Sequence, residues 1–581
     1  MNADPPAPPG REDPLLSRLR TLSADQRERL GRCVHAPRET GYALLAEALR
    51  RCGLKRVLGV TGAPVDEVFA QCARRGIRPI GMRHQQAAAL AAAAGNYIAG
   101  QLDSAVVISA GPAVTNALTG VLTARDNGWP LLVMGGRCPV QAEGTGYFQE
   151  LDAVPIYRPV TKWATVVPAT SALLDMVLRA YEVACQGRPG PVYLDLPQDI
   201  LNSSAAISGK TAPALEDRSD ANANEVEKVV ELVREAERPL LVLGDSIRWS
   251  YHRASLNQLV NDFSIPFITT PLGRGLLPDS HPLCQNAVRR WVHSQADLVV
   301  MAGAWFDWRF RFGAELKPGT KIVHVDIDPT TLGRNVGTAL AVHADAGRFL
   351  AQLAQAMAES GPSRTSAKLD AWHQQLQIAR QKHEHSHARW LALESRPMLP
   401  QQLFRALAEG LPLHALIVLD GSVCLSTGQL VLSAEREWSW LDPGWSGCMG
   451  AGIPFGIGAK LAAPDRPVLV ACGDFAFGLS AMELETAVRH AIPIIVVVAN
   501  NDGITGTTRQ SRYFPANYPE LFSQYLPAVR YERLMEVFGG YAAWVEEARD
   551  IRPALERALQ SNRPACLNVR VKPDAPHPGF W

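Results

Sequence analysis

The sequence predicts an α/β protein built from three doubly wound parallel-sheet domains. Short apolar segments bounded by glycine and proline recur along the chain and alternate with stretches of helical pattern, as in sheets that helices cover on both faces. A chain of 581 residues gives about three or four domains at ~150 residues each. Hydrophobic residues make up 47% and charged residues 20%, which is typical of a globular protein rather than a disordered one.

Two changes of composition divide the chain. Residues 203–224 are rich in Ser, Ala, Asp and Asn and are predicted to form a linker. Residues 381–390, QKHEHSHARW, are charged and His-rich, and we interpret them as a solvated linker face rather than a metal site. The domains are therefore expected at residues 40–205, 225–360 and 398–575. The first and third are expected to be related in shape, although no sequence repeat between them is detected.

Each domain carries its own continuous apolar strands. The predicted strands are residues 56–62, 104–111, 130–136 and 191–197 in the first domain, 239–245, 297–304 and 321–329 in the second, and 415–421, 467–474 and 493–501 in the third. Helical stretches lie between them, so the strands of each domain are expected to run parallel.

Residues 1–39 are expected to lie outside these domains. The polar, proline-rich start, MNADPPAPPGREDP, is predicted to be a disordered leader, and residues 15–34 a short helix with a capping box from Ser23 to Gln26. The leader lacks the apolar core of a signal peptide, and no apolar run elsewhere reaches the ~18 residues that span a bilayer. We therefore predict a cytoplasmic protein with no membrane partner.

Charge and cysteine usage exclude further classes of function. The formal net charge is +1, so no strong field attracts nucleic acid, and we predict no nucleic-acid partner. The ten cysteines are scattered, without a C-x-x-C pair. A zinc site or a disulfide framework is therefore not expected.

Asp474 and Asn501 each follow a predicted apolar strand. Because ligands of open α/β sheets bind outside the carboxyl ends of the strands, we expect these two side chains to share one site. A carboxylate and an amide oxygen suit Mg²⁺, which keeps its other positions for water and phosphate. The predicted helix after Asp474 would direct free N–H groups toward a diphosphate at the same place.

The segment from Gly473 to Asn501 resembles the thiamine-diphosphate (ThDP) motif, in which G-D-G is followed further along by N-N. The resemblance implies Mg²⁺ ligands at Asp474, at the Asn501 side chain and at the backbone carbonyl of Gly503. The cofactor-binding residues that it implies in this region are Gly473, Asp474, Phe475, Ala476, Asn501 and Gly503. Phe475 departs from the family, which has a small residue there; its N–H is still expected to reach phosphate, with different local packing.

Residues 444–463, GWSGCMGAGIPFGIGAKLAA, resemble a second stretch of the same family. The resemblance implies that Met449 wedges beneath the cofactor and that the Gly447 carbonyl accepts a hydrogen bond from the cofactor's 4′-amino group. A polarizable, adaptable Met side chain suits an apolar wedge, and glycines allow the backbone to approach a ligand closely.

Residues 81–100 and 108–136 resemble the family's pyrimidine-binding domain, and the third domain its diphosphate-binding domain. The family pattern R-H-E-Q-A-A reads Arg83-His84-Gln85-Gln86 here. In the family the Glu hydrogen-bonds the ring nitrogen N1′, and its proton drives the ring to the imino tautomer that removes the C2 proton. Gln85 can hydrogen-bond N1′ but cannot exchange a proton at working pH.

Three interpretations of Gln85 stay open. Ylide formation is slower but selective, as in the glyoxylate carboligases, which resemble this family and also lack the Glu. Alternatively, another group supplies the proton, or the chain is a catalytically silent ThDP- or nucleotide-binding scaffold. His84 and Gln149, the latter in YFQELD, are the other candidates for contact with the reacting group.

The middle block resembles the 2-hydroxyacyl-CoA lyases and the oxalyl-CoA decarboxylases, in stretches that include HVDIDPTTLGRNV (324–336). In those relatives this domain binds an adenine nucleotide, which predicts ADP or a similar nucleotide near Asp326 and Asp328, where a carboxylate could accept from a ribose hydroxyl. The C-terminal PHPGFW (576–581) resembles the segment that closes over CoA in the lyases.

The resemblance as a whole is to the acetolactate synthase, 2-hydroxyacyl-CoA lyase and oxalyl-CoA decarboxylase family. It implies a ThDP- and Mg²⁺-dependent lyase or carboligase that acts through a C2 carbanion. The implied substrate is a 2-keto acid, or a 2-hydroxyacyl or oxalyl thioester carried by CoA or by a carrier protein. It also implies a homodimer or homotetramer with its sites between chains.

Overall fold

The computed structural model describes residue 23 and residues 38–215, 218–361, 367–504, 523–573 and 575. The chain forms three parallel sheets with helices around them, so the predicted fold class is confirmed. The leader and its predicted helix, apart from Ser23, and the C-terminal PHPGFW lie outside the described residues. Within the described ranges, no helix is long and apolar enough to cross a membrane.

The first and third sheets have the same topology. The first contains β2 (Arg56–Val60), β3 (Arg78–Gly81), β4 (Ser104–Ile108), β5 (Leu131–Arg137), β6 (Trp163–Val166) and β7 (Pro191–Pro197), in the order β3-β2-β4-β5-β7-β6. The third contains β14 (Leu416–Asp420), β15 (Trp440–Leu441), β16 (Val468–Gly473), β17 (Ile495–Asn500), β18 (Tyr541–Val545) and β19 (Ala565–Arg570), in the order β15-β14-β16-β17-β19-β18. Numbered from each sheet's first strand, both orders read 2-1-3-4-6-5.

The central sheet is smaller. It contains β9 (Pro239–Leu243), β10 (Phe267–Thr269), β11 (Leu298–Ala302), β12 (Lys321–Asp326) and β13 (Leu340–His343), in the order β10-β9-β11-β12-β13. Strands β9 and β11 are buried along their whole length, which fits their continuous apolar sequences. The strand order reverses beside β9, so a crevice opens at the carboxyl ends of β9 and β11.

Helices cover the faces of the sheets. In the first domain the α-helices are Gly41–Arg51, Asp66–Arg74, Gln85–Ala99, Pro112–Asn127, Val154–Tyr157, Leu173–Cys185 and Gln198–Asn202. In the second they are Ala223–Glu235, Arg253–Asn261, Arg289–Gln295 and Ala346–Glu359. Helix Ala367–Leu391 leads into the third domain, whose helices are Pro400–Gly410, Ser422–Val431, Gly452–Ala462, Asp474–Ser480, Glu483–Arg489, Glu532–Phe538 and Ala548–Ser561.

Helix Gln85–Ala99 joins the first and third domains. Its Ala-rich sequence lets it pack closely against helix Gly452–Ala462, and a β-carbon at Gly458 would lie 2.0 Å from the Ala91 carbonyl oxygen. Only glycine therefore fits at position 458. This contact fixes the start of the helix, where Gln85 lies, relative to the third domain.

Both predicted linkers contain regular structure. Within 203–224, β8 (Ser204–Ala206) pairs antiparallel with β1 (Arg38–Thr40), closing the first domain with a two-stranded ladder. Residues 381–390 belong to helix Ala367–Leu391. Most of that stretch is exposed, which agrees with a solvated face. His383 and His387 are half-buried; their rings stack with centroids 5.5 Å apart, and burial lowers their pKa values.

Candidate functional site

The register of the third sheet brings Asp474 and Asn501 together. Strands β16 and β17 are adjacent and parallel, with Gly473 opposite Ala499. Asp474 directly follows β16 and Asn501 directly follows β17, so both leave the sheet at the same edge. The sequence-based expectation that these residues share a site at the strand ends agrees with this geometry.

Asp474, Asn501 and Gly503 form a compact oxygen-rich cluster. One terminal atom of the Asn501 amide lies 2.9 Å from the Gly503 carbonyl oxygen and 3.2 Å from Asp474 Oδ1. If that atom is nitrogen, it donates to both; if it is oxygen, three oxygens converge on one point. The backbone N–H of Gly503 donates to Asp474 Oδ2 at 2.9 Å, which holds the loop against the carboxylate.

Burial decides the electrostatics of this cluster. Asp474 is 2% exposed, and burial raises its pKa to about 6 although backbone N–H groups of Gly503 and Phe475 stabilise the ionised form. The neighbouring Asp502 is turned away and paired with Arg570. Burial disfavours the ionised form of Asp474. A cation bound here would favour that form and lower the pKa of the carboxyl group.

At the N-terminus of the helix that begins at Asp474, the Asp474 side chain already takes one of the free backbone N–H groups. The backbone N–H of Phe475 donates to Asp474 Oδ1 at 2.8 Å. Ala476 is buried, and the space around Gly473 is open, with no atom within 4 Å of a β-carbon placed there. The open side of Gly473 leaves room for a ligand beside the carboxylate.

The loop that carries Gly447 and Met449 is open on its outer side. Gly447 has a φ of 62°, the left-handed conformation that favours glycine, and no atom lies within 4 Å of a β-carbon built there. The Met449 side chain is 41% exposed, which is unusual for a large apolar residue inside a domain. Both residues are therefore accessible to a ligand.

Asp420 anchors this loop, although it was not among the predicted site residues. Its Oδ2 accepts a hydrogen bond from the backbone N–H of Gly452 at 2.7 Å, while Oδ1 is buried and has no hydrogen-bond partner among the described residues. Burial raises its pKa to about 6. Asp420 is the last residue of β14, whereas Asp474 directly follows β16, so its position at the sheet edge was the available signal.

Gln85 is the first residue of helix Gln85–Ala99, and its side chain meets another amide. Gln85 Oε1 accepts a hydrogen bond from Asn116 Nδ2 at 3.1 Å. His84 caps the same helix, because its Nδ1 accepts from the backbone N–H of Gln86 at 3.1 Å. Asn116, in helix Pro112–Asn127, lies within the stretch 108–136 but was not among the predicted site residues.

A buried carboxylate of the third domain holds the turn before Gln85. Glu483 is 1% exposed, and its oxygens accept hydrogen bonds from the backbone N–H groups of Arg83 at 3.1 Å and His84 at 3.0 Å. The Thr486 hydroxyl donates to the same carboxylate at 2.7 Å. Burial raises the pKa of Glu483, although these three donors favour its ionised form.

Gln149 lies in a tight corner of the first domain. Its φ is 58°, and it packs on Gly111, where an added β-carbon would lie 2.9 Å from the Gln149 β-carbon. The following residue, Glu150, accepts backbone hydrogen bonds from Gly144, Gly146 and Tyr147, which lower its pKa. These contacts hold the loop around Gln149 in one conformation.

The predicted site residues lie in two separate groups, one in the first domain and one in the third. Across the residues that the structure describes, neither Gln85 nor Gln149 makes a hydrogen bond or ion pair with Asp474, Asn501 or Gly503. Large apolar side chains are exposed near both groups. They are Tyr147 and Phe148 in the first domain and Met449, Leu479 and Met482 in the third.

Comparison with protein families matches all three domains. Residues 39–156 match the thiamine pyrophosphate enzyme N-terminal TPP binding domain, residues 226–353 the central domain, and residues 421–569 the C-terminal TPP binding domain. The chain belongs to the thiamine-pyrophosphate enzymes. Thiamine pyrophosphate is another name for ThDP, so the resemblance that the sequence motifs carry is confirmed.

Individual relatives of this ThDP enzyme cover nearly its whole length. The 2-hydroxyacyl-CoA lyase of Oryza sativa subsp. japonica is 33% identical over 563 residues, 92% of this chain and 96% of the rice protein. The acetolactate synthase large subunit of Mycobacterium tuberculosis is 29% identical over 94% of this chain and 98% of its own. The oxalyl-CoA decarboxylase of Escherichia coli K12 is 29% identical over 92% and 95%. The family is thus one of ThDP-dependent lyases and carboligases.

This ThDP enzyme also has an arginine-lined cleft between its second and third domains. The cavity measures about 570 Å³ and lies between helix Ala367–Leu391 and the end of helix Ser422–Val431. Its cationic residues are Arg274, Arg289, Arg290 and Arg380, and its acidic residues are Asp279 and Glu384. Arg274, Arg290 and Arg380 are paired with Asp279, Glu315 and Glu384. The lining still has more cationic than acidic side chains, which favours an anionic ligand.

The crevice of the central domain is nearly filled. It measures about 40 Å³, and the rings of Trp305 and Trp445 lie with centroids 5.9 Å apart at its wall. Asp326 is buried in it, and burial raises its pKa to about 7. Burial also raises the pKa of Asp245 at the end of β9.

Proposed function

We propose that this chain is a ThDP- and Mg²⁺-dependent carbon–carbon lyase or carboligase that acts on a 2-hydroxyacyl or oxalyl thioester, or on a 2-keto acid. The observation that carries the proposal is the cluster of Asp474, Asn501 and Gly503 at the edge of the third sheet. It supplies the hard oxygen ligands of Mg²⁺, in a chain whose matched domains are those of ThDP enzymes.

The chemistry of the cluster fits Mg²⁺. With the Asn501 amide oxygen turned inward, it joins a carboxylate oxygen of Asp474 and the carbonyl oxygen of Gly503 around one point. Three protein oxygens leave positions for water and phosphate, as Mg²⁺ prefers. Asp474, Asn501 and Gly503 would hold the metal, and the open side of Gly473 would admit a diphosphate.

The rest of the cofactor would lie against the exposed loop at Gly447 and Met449. Phe475 and Ala476 would form the floor beside the diphosphate, although the Phe475 N–H is taken by Asp474. When bound, ThDP supplies an electron sink for a carbanion next to a carbonyl. His84, Gln85 and Gln149 would face the reacting end, where each carries hydrogen-bonding groups but no carboxylate.

Two copies of the chain would complete each site. The residues of the first domain and the oxygen cluster of the third share no direct polar contact among the described residues. Exposed Phe148 and Met449 give both halves an apolar surface to bury. We infer a homodimer, or a tetramer built from such dimers, in which Gln85 of one chain completes the site around Asp474 of another.

An acyl thioester of CoA is the substrate class that the arginine-lined cleft favours. The cleft begins at Ser426 and Gln429, in the helix Ser422–Val431 that follows Asp420, and extends to Arg380. A phosphate-bearing carrier could lie among the arginines while its acyl end reaches the site. Named relatives include a 2-hydroxyacyl-CoA lyase and an oxalyl-CoA decarboxylase, which agrees with this choice.

An adenine nucleotide does not fit the crevice at Asp326 as its side chains stand. A cavity of about 40 Å³ is far below the ~300 Å³ of even a small ligand pocket. Its wall presents Asp245 and Asp326, whose pKa values burial raises, together with Arg188 and Arg309. The nucleotide near Asp326 and Asp328 therefore stays a prediction, and no step of the proposed function depends on it.

The test is a substrate panel. The protein, supplied with ThDP and Mg²⁺, is incubated with 2-keto acids, 2-hydroxyacyl-CoAs and oxalyl-CoA, and products are identified by mass spectrometry. Cleavage or ligation of one class supports the proposal. Tight ThDP binding without turnover of any class would instead favour the silent scaffold that Gln85 suggests.

A further inference from the structure

We propose that Asn116 is a positioning residue that sets which end of the Gln85 amide faces the cofactor. The inference rests on the proposed function, because it assigns a role toward ThDP. Gln85 Oε1 accepts from Asn116 Nδ2 at 3.1 Å, and no other hydrogen bond to the Gln85 side chain is found among the described residues. Because Asn116 already binds the Gln85 oxygen, Gln85 can direct only its Nε2 hydrogens toward a bound cofactor.

The pair is held in place by backbone packing one turn further along both helices. Gly120 lies four residues after Asn116, and Ala89 four residues after Gln85. A β-carbon at Gly120 would lie 2.6 Å from the Ala89 β-carbon and 2.9 Å from the Gln86 carbonyl oxygen. Because only glycine fits there, the helices touch at backbone distance and keep the two amides within reach.

The two helices that carry Gln85 and Asn116 are also held in place at their N-termini by neighbouring residues. Glu483 fixes the turn before Gln85 through the N–H groups of Arg83 and His84. Helix Pro112–Asn127, which carries Asn116, begins at Gly111, where Gln149 packs. The amide orientation is therefore set by neighbouring elements of the fold and not by the Gln85 side chain alone.

The orientation matters because an aminopyrimidine ring nitrogen changes its hydrogen-bonding role. In the amino form N1′ is an acceptor and suits an N–H donor; in the imino form N1′ carries a hydrogen and needs an acceptor. A Gln85 that presents Nε2 thus favours the amino form. Asn116 therefore disfavours the imino form, which is the form that removes the C2 proton. A Glu at position 85 would favour that form.

The decisive variant is Asn116→Asp. An Asp carboxylate accepts hydrogen bonds only, so it would take the Gln85 Nε2 group and turn Oε1 toward the ring. We expect C2–H exchange of bound ThDP in D₂O, measured by NMR, to rise about fivefold, the ratio that one net hydrogen bond gives. Near-ultraviolet circular dichroism of bound cofactor, which distinguishes the two tautomers without turnover, should shift toward the imino form.

Two controls separate orientation from charge. Thr115→Asp places the same charge on the neighbouring exposed residue, and the double variant Gln85→Ala/Asn116→Asp keeps the charge but removes the amide. The inference predicts no rise in either. An equal rise in either control, or no change in Asn116→Asp that binds ThDP normally by calorimetry, overturns it. If the wild-type protein takes up no ThDP with Mg²⁺, the proposed function itself fails, and the inference with it.

Discussion

The carboxylate of Glu483 accepts a hydrogen bond from the backbone N–H of His84 at 3.0 Å, across the boundary between the third and first domains. Nine residues before Glu483 stands Asp474, and one residue after His84 stands Gln85. The buried carboxylate thus connects helix Glu483–Arg489, which follows the helix that would hold the cofactor's diphosphate in one site, with the helix that would face the pyrimidine in another.

Removing this carboxylate should loosen the boundary. Glu483→Ala leaves the backbone N–H groups of Arg83 and His84 and the Thr486 hydroxyl without their acceptor, which costs about 2–4 kcal/mol of stability. The thermal unfolding midpoint should fall, and hydrogen exchange at the amides of Arg83 and His84 should accelerate. Glu536→Ala, which removes an exposed glutamate of the same domain, is the control. Equal stability of the two variants would contradict the assigned role.

Position 85 should respond to a restored carboxyl group. Gln85→Glu supplies a proton that can move at working pH, so C2–H exchange of bound ThDP should rise by about 10²-fold, the lower end of what a positioned acid or base contributes. Gln86→Glu adds the same charge one residue away and should leave the rate near that of the wild type. If Gln85→Glu exchanges no faster than the wild type, the slow-ylide explanation of Gln85 is wrong.

The arginine-lined cleft should select for phosphate on the substrate. Arg380→Ala removes one cationic group from the cleft, so KM for an acyl-CoA should rise by about tenfold at low salt with little change in kcat, and less at high salt. An acyl-pantetheine thioester, which lacks the nucleotide phosphates, should be unaffected. Arg389→Ala, an exposed arginine of the same helix outside the cleft lining, is the matched variant. Equal losses for both thioesters would remove the cleft from the substrate site.

The buried Asp326 should make stability depend on pH in a defined window. Burial raises its pKa from 3.8 to about 7, so below pH 3.8 the carboxyl is protonated in both the folded and the unfolded chain. Between the two values the unfolded chain loses the proton and the folded chain keeps it. This group's contribution to stability is therefore lost as pH rises to about 7, by up to ~1.4 kcal/mol per pH unit.

Asp326→Asn removes that titration while it can keep an acceptor for the backbone N–H of Asp328, now made to Asp326 Oδ1 at 2.8 Å. Chemical denaturation at pH 4.5, 5.5 and 6.5 should show the wild type losing stability relative to the variant as pH rises. Parallel curves for the two proteins would contradict a protonated Asp326 in the folded state.

Local sequence patterns predicted the parts of the molecule that depend on neighbouring residues. Continuous apolar strands predicted three parallel sheets, and the strand ends placed Asp474 beside Asn501. Contacts between distant segments were not accessible in this way. The pairing of Gln85 with Asn116 depends on how two helices pack at Gly120, and the bond from Glu483 to His84 joins residues in different domains.

The His-rich stretch shows the same limit. Composition alone indicated a solvated linker, but residues 381–390 continue a long helix that lies along the arginine-lined cleft, with His383 among the lining residues. Charged and polar residues can pack one face of a helix against a neighbouring domain while the other face stays in water. Their partners lie far away in sequence, so no local pattern indicated which histidines would be half-buried.

The most direct test of the account is isothermal titration calorimetry of ThDP in the presence and absence of Mg²⁺. We predict saturable uptake by the wild-type protein that requires Mg²⁺, loss of that uptake in Asp474→Ala, and unchanged uptake in Asp465→Ala, which alters an exposed aspartate of the same domain. Metal-independent binding by the wild type, or undiminished binding by Asp474→Ala, would contradict the assignment of this oxygen cluster as the site that holds the cofactor.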